Sequence, residues 1–310
     1  MQEAERLKRR TVRLSILSNA ILFLLKLLVG FSVGAVSIVS EAMHSGVDLL
    51  ASFIAFLAIR KATTPPDRMH GYGHGKFENL SAMAEALLIL LAAAGIIYEA
   101  LEDFEKDDQL QGLEYAILVM AISILINTLV SRRLLSVAKQ TDSQALAANG
   151  LHLQSDVWTS VGVLAGLALM RLTEWPWLDP VIAIMVAGII FRTGWHMLLE
   201  SLHSLTDASL PEEEKARIGE ILSRCPEVKG FHCLRTRKSG SYRLLDVHVL
   251  FDGTMHLNQI HAICDELEQE IRGAFGPFDV LIHPEPAERH VIETNIAQYE
   301  HAQANPHQEI

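Results

Sequence analysis

The sequence predicts a helical membrane domain of six spans followed by a small cytoplasmic α+β domain, and two observations carry that reading. Charged residues make up 20% of the 310-residue chain, below the quarter or so of an ordinary soluble domain. They are also unevenly spread, concentrated at the N-terminus, in short loops and after residue 205, so that the first two-thirds hold long runs with almost no charge. A bilayer core needs about 20 mostly apolar residues to be crossed by a helix. Six stretches approach that length: 14–33, 36–59, 79–101, 113–131, 145–170 and 177–199. The first continues too far past its basic flank, with no small-residue cleavage site, to read as a secretory signal.

Orientation follows from the flanks. Arg6, Lys8, Arg9, Arg10 and Arg13, then Arg60, Lys61, Arg68 and Lys76, then Arg132, Arg133 and Lys139 all fall on one side; the other side has only Lys106 and Arg171, the former within the acidic run EDFEKDD. The excess of Lys and Arg in cytoplasmic loops places both termini in the cytoplasm. Residues 1–205 form the membrane domain, 206–288 a soluble domain, and 289–310 a polar tail without periodicity.

Within the soluble part, PEEEKARIGEILSR (211–224) opens with proline and acidic residues, as helix starts do. GFHCLRTRK and YRLLDVHVLF read as paired strands across Ser239-Gly240-Ser241. In the second strand Leu245, Val247, Val249 and Phe251 share one face and His248 lies on the other. A helix over 257–274 aligns Leu257, Ile260, Cys264, Leu267 and Ile271, and FDVLIH is a last strand ending at His283. The order is α-β-β-α-β.

Several function classes are excluded. A net charge of −11 without a basic stripe is not that of a nucleic-acid binder. Gly71-Tyr-Gly-His-Gly-Lys76 lacks the spacing of a phosphate loop, so no nucleotide site is expected. Cys225, Cys233 and Cys264 form no CxxC and imply no disulfide framework, consistent with a reducing compartment.

The chemistry lies in polar residues inside the spans, where ionisable groups are costly and normally functional. The second span carries His44 and Asp48, the fifth His152 and Asp156. Residues four apart share a helix face, so the two pairs, facing each other, supply two imidazoles and two carboxylates, a tetrahedral N/O set suited to Zn²⁺ and related divalent ions. The plainer alternative is an interhelical hydrogen-bond clamp. Lys26 is expected to snorkel to the outer interface, Asn19, Asn127 and Gln154 to bond between helices, and Glu85 has no evident partner. Asp67, His70 and His74 sit at spacings of three and four in a Gly/Pro-rich loop after the second span.

The phrases SEAMHSGVDLLASFIAF, HGYGHGKFEN and LHLQSDVWTSVGVL resemble the cation diffusion facilitator family of divalent-metal transporters, and the likeness extends over roughly residues 10–285. The resemblance implies a homodimeric, proton-coupled zinc exporter with a metallochaperone-like cytoplasmic domain. It places the transport site at His44, Asp48, His152 and Asp156 and a secondary metal site at Asp67, His70 and His74. It also implies a cytoplasmic metal cluster at the contact between two C-terminal domains, from His232, His248, His261, His283 and Glu285, the last where the family commonly has aspartate. Lys76 and Asp207 are matched as an ion pair hinging the two domains. The short SRRLLSVAKQTD loop, without a histidine-rich insert, resembles bacterial members and implies the cytoplasmic (inner) membrane. His44, where some relatives have Asp, is expected to favour Zn²⁺ over Cd²⁺. The rival readings are a membrane-embedded metallohydrolase, for which no HExxH helix is present, and a membrane-anchored metal sensor, which leaves the intramembrane ligands without a role.

Overall fold

The computed structural model describes residues 2–33, 36–103, 113–173 and 178–287. The chain divides into two units, Met1–Leu205 and Thr206–Ile310. The acidic run containing Lys106 and the polar tail from 289 onward lie outside the described residues, as do the side chains of His44, Glu41, Glu99 and Arg171.

Among its described residues the first unit holds six helices: α1 (Gln2–Val33), α2 (Val36–Ala62), α3 (Lys76–Asp103), α4 (Leu113–Thr141), α5 (Gln144–Thr173) and α6 (Leu178–Leu205). The shortest has 27 residues, or about 40 Å at 1.5 Å per residue, against a hydrocarbon core of about 30 Å. Among the described residues, α1, α3, α4 and α6 carry windows apolar enough to cross a membrane; α2 and α5 are of comparable length and carry the HxxxD pairs.

Packing in this unit places many small residues inside and many large ones outside, although Ile59, Ile89, Leu134 and Leu153 are also fully buried. Ala51, Ala55, Ala82, Ala86, Ala93, Ala145 and Ala148 are buried, whereas Leu17, Leu24, Leu28, Phe31, Leu91, Leu125 and Ile189 face outward. That inversion suits lipid, where no hydrophobic drive separates large side chains from the solvent and small residues let backbones approach. A Cβ on Gly150 would lie 2.9 Å from the Leu135 side chain, and one on Gly194 would lie 2.9 Å from that of Ile89. Those glycines set the approach of α5 to α4 and of α6 to α3, both extensive contacts.

The second unit comprises α7 (Glu212–Arg224), β1 (Gly230–Ser239), β2 (Tyr242–Phe251), α8 (Leu257–Phe275) and β3 (Phe278–Pro286). Pro211 is the N-cap of α7 rather than its first helical residue. The sheet order is β1-β2-β3, with β2 central, antiparallel to β1 and parallel to β3. The α-β-β-α-β order is as the periodicities predict. Leu245, Val247, Val249 and Phe251 bury one face of β2 against Ile218 and Leu222 of α7 and Cys264, Leu267 and Ile271 of α8. Both helices therefore cover one side of the sheet, and the opposite side, where His248 lies, is left for chemistry.

One irregularity interrupts the ladder. His232 pairs with His248 and Arg235 with Asp246, so β1 carries one extra residue between them. Cys233 there adopts φ 52°, a left-handed conformation uncommon outside glycine. Such a bulge re-aims a side chain relative to simple alternation.

Candidate metal centres

The helical unit gathers Asp48 of α2 with His152 and Asp156 of α5. One ligand atom from each lies within 4.8 Å of the others. His152 Nε2 is 3.2 Å from Asp48 Oδ1, and both residues are 4% exposed. The three residues come from two helices: His152 and Asp156 occupy one face of α5, and α2 presents Asp48 to it. His152 Nδ1 makes no hydrogen bond among the described residues. His44 lies in α2 one turn before Asp48, its side chain outside the described set.

A polar lattice supports this triad. Asn19 Nδ2 donates to the Asp48 carbonyl at 3.3 Å and to Ser52 Oγ at 2.9 Å. Asn149 Nδ2 donates to Ser52 Oγ at 3.1 Å, and Ser15 Oγ donates to Asn149 Oδ1 at 2.8 Å. Asn19 is thus the interhelical bond expected of it. Lys26 is not a snorkelling residue: it is buried, and its Nζ donates to Ser45 Oγ at 2.8 Å. Ser45 lies on the turn between the motif residues of α2, so the lysine reaches inward to a hydroxyl acceptor instead of outward to a headgroup. Glu85 is fully buried, and its oxygens make no hydrogen bond among the described residues.

Sequence reasoning missed a second buried ionic group in this unit. Lys8 Nζ donates to Glu78 Oε1 at 2.8 Å, and Ser143 Oγ donates to Glu78 Oε2. Lys8 counts among the basic flank residues that set orientation, yet it is buried. The pair joins the starts of α1, α3 and α5, and no local pattern announces a contact between residues 70 apart.

In the loop between α2 and α3, Asp67, His70 and His74 converge. Asp67 Oδ1 is 3.3 Å from His70 Nδ1, and Asp67 Oδ2 is 3.2 Å from His74 Nε2. The amide of His70, and that of Met69, donate to the Asp67 carboxyl and hold it below the usual carboxylate range. Asp67 and His70 are exposed as expected of a loop, but His74 is 2% exposed, which makes this site less solvated than a free loop.

The cytoplasmic unit brings four of its five expected ligands together. Glu285 Oε2 is 2.9 Å from His232 Nε2, and Glu285 Oε1 is 2.8 Å from His248 Nδ1 and 3.6 Å from His283 Nε2. The register explains this. His248 is opposite His232 on one side and His283 on the other, so the three imidazoles form a row across the sheet. Glu285, two residues past His283, returns to the same face, and its longer arm reaches two imidazoles at once. Partial burial pulls the Glu285 carboxyl upward, but hydrogen bonds with His232 and His248 outweigh it and hold the group below the usual range. His261 stands apart on α8, 76% exposed, 3.8 Å from Asp265 one turn on. Asp207 takes Arg237 at 3.2 Å within the second unit, and Lys76 Nζ donates to the Leu205 carbonyl at 3.1 Å within the first.

A mostly buried N/O triad in a bundle of membrane-length helices, joined to an α+β domain with its own imidazole-carboxylate row, is the architecture of a metal-handling membrane protein. The model of the cation efflux transmembrane domain matches residues 12–206, and that of the cation efflux protein cytoplasmic domain matches residues 210–287. The chain belongs to the cation efflux, or cation diffusion facilitator, family, whose members carry divalent cations out of the cytoplasm.

It is 36% identical over 256 residues to the uncharacterized transporter sll1263 of Synechocystis, covering 82% of this chain and 83% of that one. It is 33% identical over 269 residues to the cation-efflux pump FieF of Pectobacterium carotovorum, covering 86% and 88%. Among solved structures, the metal-bound C-terminal domain of the CzcD transporter from Thermotoga maritima is 27% identical, covering 24% of this chain and 87% of that one, with a TM-score of 0.23.

Proposed function

We propose that this chain is a homodimeric antiporter of the cytoplasmic membrane that exports Zn²⁺ in exchange for protons, with six spans and both termini inside. The observation that carries the reading is the convergence of Asp48, His152 and Asp156 in the helical unit, the first two buried and the third half-buried, with one ligand atom of each within 4.8 Å of the others. His44, one helical turn from Asp48, completes the transport site. Two imidazoles and two carboxylates suit zinc's preference for tetrahedral N/O coordination. Membership in a transporter family favours transport over the membrane-embedded hydrolase and the sensor.

Moving a divalent ion outward against the membrane potential costs about 4.6 kcal/mol per 100 mV, at 2.3 per elementary charge. Histidine must be neutral to bind metal and titrates between about pH 5 and 8. Protons from outside displace the ion from His44 and His152, and cytosolic metal displaces the protons inward. Asp67, His70 and His74 form an auxiliary metal site. His232, His248, His283 and Glu285 of one protomer, with His261 brought across the dimer contact, form the cytoplasmic site that clamps two C-terminal domains. Lys76 and Asp207 act as the hinge between the units.

Reconstituted vesicles with an imposed pH gradient test this reading. Zn²⁺ uptake should move protons the opposite way, and Asp156→Ala should abolish flux while leaving the dimer folded. Wild-type flux in that variant, or zinc movement without proton counter-movement, would sink it.

A further inference from the structure

We infer that Cys233 is a metal ligand, forming with His232 and His248 a thiolate-containing cation position on the cytoplasmic unit. This position lies beside the His248, His283 and Glu285 group and takes a thiophilic divalent ion such as Cd²⁺ or Zn²⁺. The inference extends the cytoplasmic metal site proposed above, and rests on that site's imidazoles.

In a regular strand, consecutive side chains point to opposite faces. Cys233 would then oppose His232 and face the hydrophobic core beneath the sheet. The extra residue in β1 and the left-handed φ of 52° at Cys233 undo that alternation. As a result Cys233 Sγ lies 3.2 Å from His232 Nδ1. One ligand atom each from His232, Cys233 and His248 lie within 4.8 Å of one another. A nitrogen and a sulfur bound tetrahedrally to one zinc ion at about 2.05 and 2.3 Å are themselves about 3.6 Å apart, so the imidazole-thiol pair needs only a small opening to admit an ion.

The two nitrogens of His232 have separate duties. Nε2 is turned to Glu285 at 2.9 Å and Nδ1 to the thiol. His248 belongs both to this triad and to the group it forms with His283 and Glu285, so the sheet face carries two adjacent ligand sets of different softness. One is nitrogen and oxygen, the other nitrogen and sulfur, and softer ligands select softer ions. The cysteine is a free thiol and exposed, which gives an ion direct entry. Binding forms an Sγ–metal bond and releases the thiol proton to water, with no change of oxidation state.

The test uses the full-length protein in detergent, titrated with Cd²⁺ while the ultraviolet thiolate-to-metal charge-transfer band is followed beside total bound metal by equilibrium dialysis. The expected result is a band saturating at one ion per chain. Cys233→Ser should lose it and weaken Cd²⁺ binding to the cytoplasmic unit by about tenfold or more. Native labelling of Cys233 by a maleimide should slow by at least a similar factor with Cd²⁺ present, and His248→Ala should lose that protection. A band of undiminished intensity in Cys233→Ser, or labelling indifferent to Cd²⁺ while metal binds the cytoplasmic unit, would overturn the thiolate position and leave the imidazole-carboxylate site standing. Metal binding unchanged when His232, His248 and His283 are all replaced by Ala would overturn both.

Discussion

Breaking the Lys8–Glu78 pair should destabilise the helical unit far more than removing a flank charge would. The two side chains lie 2.8 Å apart and are 6% and 2% exposed. Replacing one partner of such a pair leaves an uncompensated charge in a poorly hydrated site, at a cost of about 3–5 kcal/mol. In Lys8→Met the remaining carboxylate keeps the Ser143 hydroxyl, which places the expected cost near the lower end, about 3 kcal/mol. For a unit of this size that corresponds to a fall in Tm of about 6–12 °C. Glu78→Leu should cost a comparable amount, because it removes the carboxylate that neutralises the buried ammonium. The double variant Lys8→Met/Glu78→Leu removes both charges, and pairs replaced by apolar residues are often neutral or better.

Thermal unfolding in detergent, followed by intrinsic tryptophan fluorescence, gives the four corners of the cycle, since all four tryptophans lie in the helical unit. Strong non-additivity, with about 2 kcal/mol or more of coupling between the two sites, is the expected outcome. Single variants melting within about 2 °C of the wild type, where a surface pair worth under about 1 kcal/mol would leave them, would refute the claim that the pair is shielded. So would a double variant whose loss equals the sum of the singles. The point bears on transport because the same pair ties together the first turns of α1 and α3 and, through Ser143, the cap of α5, whose Leu146 amide donates to Ser143 Oγ.

Further outcomes follow from the same geometry. His70→Ala/His74→Ala should lose metal from the α2–α3 loop while retaining most Zn²⁺ flux, measured by equilibrium dialysis and vesicle uptake on the same preparation. Gly150→Val should cost about 1–3 kcal/mol, since its added carbons meet Leu135 and Leu134 where α4 and α5 touch; the Tm in detergent reads it. Reversing Lys76 to Glu should impair flux, and adding Asp207→Lys should recover part of it. Burial pushes the Cys264 thiol up from 9.0 to about 11, so unfolded chains lose that proton first; the thiol's contribution to the stability of the cytoplasmic unit should be present below about pH 9 and fall away as pH rises towards about 11. Denaturant midpoints across that window, flattened in Cys264→Ala, check the sign.

Much of this architecture was legible because its signals are local. The alternation that buries Leu245, Val247, Val249 and Phe251 and turns His248 away is a period-2 pattern of one strand, and β2 obeys it. The HxxxD pairs are likewise helix-period features, which is why Asp48, His152 and Asp156 could be placed on facing surfaces in advance. What escaped depends on partners distant in sequence or on departures from the regular period. Lys8 reads as a solvated flank residue until α3 supplies Glu78. Lys26 reads as a snorkelling lysine until α2 supplies Ser45. His74 reads as a loop histidine, yet its ring is buried against the Phe77 ring, with centroids 6.0 Å apart, and lies near the Thr64 carbonyl. Cys233 is the clearest case: strict alternation assigns it to the wrong face, and only the register shift after His232 corrects that. A cysteine beside a histidine in the strand was the available signal, but it does not reveal the bulge.

The contrast between the membrane site and the cytoplasmic row bears on how such a protein couples its ions. Asp48 and Asp156 contribute two carboxylates to a largely buried site whose third ligand is an imidazole. An isolated charge in a medium of low dielectric costs far more than a compensated one. A divalent cation cancels both carboxylates, and so do two protons, whereas an empty, doubly charged site has neither. Charge balance thus disfavours the empty, doubly charged state, which is what the proposed exchange of metal for protons requires. The cytoplasmic row holds a single carboxylate, Glu285, among three imidazoles, and His283 is 62% exposed. A divalent ion bound there leaves net positive charge, which neighbouring water can screen but a bilayer could not. That site is suited to binding an ion reversibly at a water-exposed face, and the membrane site to carrying one, and the difference follows from the number of carboxylates and the solvent around them.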